Sequence, residues 1–303
     1  MEIIAGTTDF YLEKDTAVAI GKFDGVHLGH RRLLEEILNK KKNGLAACVF
    51  TFDPTPAVLF GLSGGKELTT REEKRRLFEH LGIDILIEFP LTKETAATEP
   101  ERFVTEILAK QMNTRFVAAG EDLSFGKNGA GNAELLEKMA PQLGFCVRTI
   151  EKIEVDGIEV SSTYIRKLVE EGRMEEAEKM LGMPYTLVGC VEHGNHIGHT
   201  LGFPTVNLLP PAGKLLPPNG VYYAVVRYNG KVYKAISNVG TKPTVSSEKM
   251  MGVESYLYDF AQDIYGQEIE VALKSFRRPE RRFGSLEELK KQLDLDIADG
   301  RNA

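Results

Sequence analysis

The chain predicts two domains. The first is an α/β half built on a mostly parallel sheet with helices on both faces, and the second is a small antiparallel β-barrel followed by a C-terminal helix. Three observations carry this. Short apolar runs alternate with amphipathic stretches through the first half, the βαβα order that a parallel sheet requires. Gly182-Met183-Pro184 then breaks the helical pattern. Beyond it the runs are short, β-rich and turn-bounded, with the hairpin signal Asn229-Gly230 between two of them. The boundary is placed at Met183, giving domains 1–183 and 184–303.

In the first half the apolar runs predict strands at Ala17–Ile20, Ala46–Phe52, Ile83–Phe89, Phe116–Gly120 and Phe145–Ile150. Helical spacing between them predicts helices at His30–Lys42, Thr70–Leu81, Pro100–Met112 and Asn132–Leu143. A further helical stretch, Ser162–Leu181, has cap candidates in Ser161 and Ser162 and a glycine, Gly172, placed to divide it. Barrel strands are predicted at Leu187–Val191, Val221–Tyr228, Lys231–Val239, Val253–Phe260 and Glu268–Phe276, and a last helix at Leu286–Ala298, opened by Ser285.

With 303 residues, 42% hydrophobic and 27% charged, the composition is that of an ordinary globular chain. A formal net charge of −6 supplies no global field for nucleic acid. Cys48, Cys146 and Cys190 are odd in number and far apart, which argues against a disulfide framework or a zinc site and fits a reducing cytoplasm. No apolar run reaches membrane-spanning length, and Met1–Gly6 lacks the pattern of a targeting segment. Small-molecule partners are expected, without nucleic acid or membrane; association into homo-oligomers is left open.

The most informative segment runs from Gly21 to His30. It leaves a buried strand and enters a helix expected to begin near His30, so free N–H groups and the positive dipole end face the loop. Its glycines permit tight turns and close approach. With His27 and His30 at that point, the segment reads as a phosphate site.

Gly21-Lys22-Phe23-Asp24-Gly25-Val26-His27-Leu28-Gly29-His30 resembles the H-x-G-H signature of nucleotidylyltransferases. In its longer form it resembles that of the bacterial bifunctional riboflavin kinase/FMN adenylyltransferases, or FAD synthetases. The resemblance implies a Rossmann-like adenylyltransferase half and a riboflavin kinase barrel. It assigns nucleotide binding to Gly21, Phe23, Asp24 and Gly29, with Asp24 orienting ligands. Ser161-Ser162-Thr163-Tyr164-Ile165-Arg166 is similar to the partner motif S-S-T-x-I-R, which implies that Ser161, Ser162, Thr163 and Arg166 bind phosphate oxygens. Gly120–Gly126 looks like the family's flavin loop, with Asp122 accepting hydrogen bonds and Phe125 stacking on the ring. Thr55 stands where the family usually shows a histidine. Implied chemistry is in-line attack of the FMN phosphate on the α-phosphate of ATP, with charge neutralised by His27, His30, Arg166, the helix start and Mg²⁺.

The resemblance continues into the barrel. Gly202-Phe203-Pro204-Thr205-Val206-Asn207 is similar to G-F-P-T-A-N, which implies that Thr205 and Asn207 complete the oxygen shell of an ATP-bound Mg²⁺. His193–His199 is expected to cradle ATP phosphates, with Gly194, Gly198 and Gly202 in nucleotide binding; Ile197 and His199 stand where arginines are common. Lys242 replaces an arginine in Asn238–Thr244. Glu254 matches the general base for the riboflavin 5′-hydroxyl, and Arg278 and Phe283 a flavin lid. The implied function is riboflavin to FMN, then FMN to FAD, each with ATP. An adenylyltransferase with a weakened kinase half, or a non-catalytic flavin-binding regulator, stands as the alternative.

Overall fold

The computed structural model describes residues 1–55, 59, 65–193, 203–243 and 249–301. The chain divides into two compact units, Met1–Ser162 and Thr163–Ala303.

In the first unit β1 (Glu2–Ala5), β2 (Thr16–Ile20), β3 (Ala46–Asp53), β4 (Ile85–Pro90), β5 (Thr114–Gly120) and β6 (Cys146–Ile150) form one sheet in the order β1-β4-β3-β2-β5-β6. Every neighbouring pair is parallel. All five residues of β2 are buried, as expected of a strand covered on both faces. Alternate side chains feed two cores. Val18, Ile20, Phe50 and Val117 face one that includes Phe103 and Leu108; Ala17, Ala19, Val49 and Phe116 face the other with Leu34, Ile37 and Phe78. β1 was not legible as a strand: it is four residues long, on the sheet edge, with Glu2 and Ile3 exposed.

The connecting helices are α1 (Leu28–Asn39), α2 (Arg71–Leu81) and α3 (Ala133–Leu143). The predicted helix over 100–112 is one turn of α-helix, Pro100–Arg102, continued as π-helix over Phe103–Gln111. A two-residue hairpin pair, β7 (Glu154–Val155) and β8 (Ile158–Glu159), was not anticipated.

The second unit takes in α4 (Ser162–Glu170) from Thr163 on, and α5 (Met174–Leu181), separated at Gly172 (φ +74°). These helices fall within the same compact unit as the barrel, a unit that begins at Thr163. One reason is local: Lys274 of the barrel donates to Glu178 of α5 at 2.6 Å. Strands β9 (Tyr185–Glu192), β10 (Thr205–Leu208), β11 (Gly220–Tyr228), β12 (Lys231–Pro243), β13 (Lys249–Leu257) and β14 (Glu268–Pro279) close into an antiparallel barrel in the order β10-β13-β12-β11-β14-β9. Asn229 and Gly230 both take positive φ (+47° and +72°), the turn that a two-residue hairpin demands. Tyr222, Val226, Ser237 and Ser255 point inward, and the serine hydroxyls meet at 2.7 Å. On the outer face Val221, Ile236 and Tyr258 pack with Ile297 of α6 (Leu286–Arg301).

Candidate functional site

The Gly21–His30 segment leaves the carboxyl end of β2, beside the carboxyl ends of β3 and β5, the edge where open parallel sheets bind ligands. Helix α1 starts at Leu28, two residues earlier than expected, because His27 is its N-cap: its Nδ1 accepts from the His30 amide at 3.4 Å. The two imidazoles stack with centroids 3.7 Å apart and planes at 19°. Gly29 makes this possible, since a Cβ there would lie 3.2 Å from the His27 ring. Phe23 and Val26 hold positive φ (+51° and +43°), backbone strain stored in the loop.

Bonds to the start of α2 brace that loop. Asp24, 4% exposed, accepts from the Thr69 amide at 3.1 Å, and the Gly25 amide donates to Thr69 Oγ1 at 2.9 Å. Ser162 Oγ donates to the Asp24 carbonyl at 2.8 Å, so the two family motifs do meet. Asp24 therefore fixes the loop. Phe23 is wholly buried, edge-on to Phe78 and 5.1 Å from the His30 ring. It shapes the site from below and offers no surface to a nucleotide.

Burial sets the charge here. It pushes His27 down to about 4 against a small opposing pull from Asp122. It holds His30 well below its ordinary value, helped by His27 and Lys74. Both rings are neutral at pH 7. His30 Nδ1 is buried and has no hydrogen-bond partner among the described residues. The pair is thus a set of polar atoms at a helix start awaiting a partner, and not the ready-made cation that the sequence suggested. An arriving phosphate would raise both pKa values.

In the Gly120–Gly126 loop, Asp122 is exposed and 4.0 Å from Lys152. Phe125 corrects the expectation of a stacking platform: it is 3% exposed, packs on Phe103 at 5.1 Å, and closes over Gly131, where a Cβ would lie 2.4 Å from its ring. Thr55 is buried. Ser161 is half-buried beside Ser162. Thr163, exposed, and Arg166, half-buried, fall in the second unit.

On the barrel, lateral pairing aligns Asn207, Glu254, Asn238, Val221 and Arg278 in one row across five strands. Directly paired residues share a face, and Val221 puts this row on the outer face, the side that α6 covers. Thr205 lies two residues before Asn207 and so on the same side. Its hydroxyl donates to Glu254 Oε1 at 2.5 Å. Asn207 is buried. Hydroxyl, amide and carboxylate oxygens gathered so closely suit a hard divalent cation. Among the described residues no group of three His, Cys, Asp or Glu could hold a metal unaided.

At the far end of the row a cleft of about 140 Å³ is lined by Tyr223, Arg277, Arg278, Gln292 and Asp296. The guanidinium of Arg278 is spent on Asp296 of α6, with Nε to Oδ1 at 3.0 Å, so it pins the C-terminal helix. Phe283 lies under Arg281 at 4.8 Å. Gly194, Ile197, Gly198, His199 and Gly202 lie outside the described residues. Sequence reasoning missed Glu280, whose carboxylate accepts from Asn238 at 3.0 Å and Asn219 at 3.1 Å. Gly240 leaves the space that this carboxylate occupies, since a Cβ there would meet Glu280 Oε1.

A parallel sheet with a histidine-capped loop at the carboxyl ends of its strands, followed in one chain by a six-stranded antiparallel barrel with its own carboxylate–hydroxyl–amide cluster, is the architecture of a two-domain nucleotide-handling protein. Comparison narrows it. Residues 11–164 match the family model described as FAD synthetase and residues 181–303 the one described as riboflavin kinase. Bifunctional riboflavin kinase/FMN adenylyltransferases are similar over nearly the whole chain. That of Listeria monocytogenes is 36% identical, covering 97% of this chain and 94% of the relative. Those of Escherichia coli K12 (35%; 94% and 91%) and Bacillus subtilis (33%; 93% and 90%) follow. A crystal structure described as a macrolide-efflux protein from Streptococcus pneumoniae superposes with a TM-score of 0.87 at 29% identity, over 99% of this chain and 98% of that one. The chain belongs to the bifunctional riboflavin kinase/FMN adenylyltransferase family. Among the described residues no helix is long and apolar enough to cross a membrane.

Proposed function

We propose that this chain carries out both activities of its family: ATP-dependent phosphorylation of riboflavin to FMN on the barrel, and adenylyl transfer from ATP to FMN, giving FAD and pyrophosphate, on the parallel sheet. The observation that carries the reading is the coexistence, in one chain, of the stacked His27–His30 pair at a helix start and the Thr205–Glu254 hydrogen bond beside Asn207.

On the sheet, the amides opening α1 and the two imidazoles donate to the nucleotide phosphates, and the motif assigns Arg166, Ser161, Ser162 and Thr163 to the same oxygens. Neutral rings suit donation, and they become cationic only once an anion compensates them. On the barrel, Glu254 accepts the 5′-hydroxyl proton of riboflavin as that oxygen attacks the γ-phosphate of ATP, and the Thr205 hydroxyl orients the carboxylate. Mg²⁺, when bound with ATP, neutralises phosphate charge, and Thr205 and Asn207 are the side chains that fit it. The flavin is assigned to the Arg278 end of the row, and to Asp122 on the sheet. Three unbridged cysteines fit a cytoplasmic enzyme.

The test is turnover of riboflavin with ATP and Mg²⁺, followed by chromatography of FMN and FAD. His30→Ala should cut FAD formation by about 10²–10³ and leave FMN formation near the parent rate. Glu254→Gln should do the reverse, lowering kcat for riboflavin with little change in KM. Equal loss of both products in either variant would overturn the two-site assignment; a Glu254→Gln variant with parent kcat would remove Glu254 as base.

A further inference from the structure

We propose that Lys74 is a fixed cation of the adenylyl-transfer site and contacts the β- and γ-phosphates of ATP, and so the departing pyrophosphate. The inference rests on the assignment of the His27–His30 loop to those phosphates.

Lys74 lies in the first turns of α2, which opens with a capping box: Thr70 Oγ1 accepts from the Glu73 amide and Glu73 accepts from the Thr70 amide. The residue just before that cap, Thr69, is the one bonded to Asp24 and Gly25 of the phosphate loop. The helix start and the loop are therefore one braced unit. Lys74 and Phe78 are four residues apart, hence on one face of α2. Phe78 is buried edge-on against Phe23, and Phe23 lies against the His30 ring. That face therefore looks onto the underside of the site, with Lys74 one turn nearer the loop than Phe78.

The lysine is placed at a cost. It is 6% exposed, and Glu67 pairs with it at 3.5 Å. A good ammonium–carboxylate hydrogen bond is about 2.7–2.9 Å, and a buried charge with so loose a partner is expensive. A core position would be better served by leucine or methionine. Its field already reaches the site, as one of the influences holding His30 neutral. With both imidazoles uncharged, Lys74 is a basic side chain of this unit beside the loop, together with Arg31, whose Nε donates to the Val26 carbonyl at 3.2 Å. A polyphosphate is the ligand that such a charge fits.

The step it assists balances without it. An FMN phosphate oxygen attacks the α-phosphorus of ATP, the new O–P bond replaces the bond to the bridging oxygen, and the electron pair leaves on pyrophosphate. Lys74 keeps its proton and only donates hydrogen bonds as charge grows on that group.

The full-length chain tests this with magnesium pyrophosphate as the binding probe. Lys74→Met keeps the stem and removes the charge, and Lys74→Arg keeps the charge. Lys74→Met should weaken pyrophosphate inhibition of FAD formation at least tenfold, slow FAD formation by about 10–10², and leave riboflavin phosphorylation at the parent rate. Lys74→Arg should recover most of the loss. In the ligand-free protein, the His30 ring should titrate at higher pH in Lys74→Met than in the parent. Lys74→Gln is the second variant should methionine fail to fold. A folded uncharged variant that binds pyrophosphate as the parent does overturns the proposal. His30→Ala separates the two readings: parent pyrophosphate affinity in that variant removes the phosphate loop itself, whereas parent affinity in Lys74→Met alone removes only the lysine.

Discussion

The residue that concentrates the chemistry of the first unit is His27, which is at once a helix cap, a stacking partner and a buried titrating group. Those roles pull together only while it is neutral. The unfolded chain takes up a proton at His27 near 6.5, and the folded chain resists until about pH 4. Above pH 6.5 neither state is protonated and stability is independent of this group. Between 6.5 and 4 the unfolded state binds more protons, so stability falls as pH falls. At about 1.4 kcal/mol per pKa unit the loss reaches roughly 3 kcal/mol. Denaturant unfolding of the parent at pH 7.5 and 4.5 should show it, and His27→Gln should flatten the slope over that interval. An unchanged slope would mean that the ring gains a proton in the folded state as easily as in the unfolded one. Saturating ATP should shrink the parent's slope, because bound phosphate favours the charged ring. The same residue shows where reading stopped short: its motif announced a phosphate site, but a one-dimensional string does not reveal that His27 is buried and that His30 packs on Phe23, an environment that holds both rings uncharged.

Among the elements, the inner strands of the sheet, β2 to β5, were legible because they are largely buried and read as apolar runs, as β2 does most fully. The first two motifs were legible because they hang on such a strand and on helix starts. What escaped was set by tertiary partners. β1 is an exposed edge that exists because β4 offers it a ladder. β10 has only four residues and depends on β9 and β13. Phe125 and Arg278 have ligand-like chemistry in isolation, but their neighbours, Phe103 with Gly131 and Asp296, use it up. The start of α2 was placed at Thr70 from the helical pattern, and its capping box acquires a purpose, since Thr69 just before the cap ties the helix start to the Gly21–His30 loop. Thr70→Ala removes the cap and should cost about 0.5–2 kcal/mol of stability. Because the capped turn holds Thr69 against Asp24, it should also lower FAD formation more than FMN formation. Thermal melts and the two product assays on one preparation check this. A stability loss with both activities intact would make the capping box a purely structural device.

For the whole molecule the question is which residues the kinase barrel needs. The riboflavin kinase family model begins at residue 181, close to the boundary read from Gly182-Met183-Pro184, whereas the compact unit begins at Thr163. The difference is the helical pair α4 and α5. Met174, Ala177, Met180 and Leu181 of α5 are buried, and Lys274 of β14 bonds both carboxylate oxygens of Glu178 at 2.6 and 2.7 Å. Gly172, at φ +74°, sets the break between the two helices. Burying a methionine or leucine side chain contributes about 1.5–3 kcal/mol, so cutting at Pro184 strips several such contributions and leaves Lys274 without its partner. That is a large share of the roughly 5–15 kcal/mol by which a domain is stable. A fragment Thr163–Ala303 should therefore fold cooperatively and phosphorylate riboflavin. A fragment Pro184–Ala303 should melt at lower temperature by well over 5 °C, the shift expected from about 1 kcal/mol in a domain of this size. Circular dichroism melts and riboflavin turnover of the two fragments, side by side, decide it. Equal melting temperatures would return the boundary to Met183 and make the helical pair a connector; if neither fragment folds, the barrel depends on the rest of the chain and the two units are not independent domains.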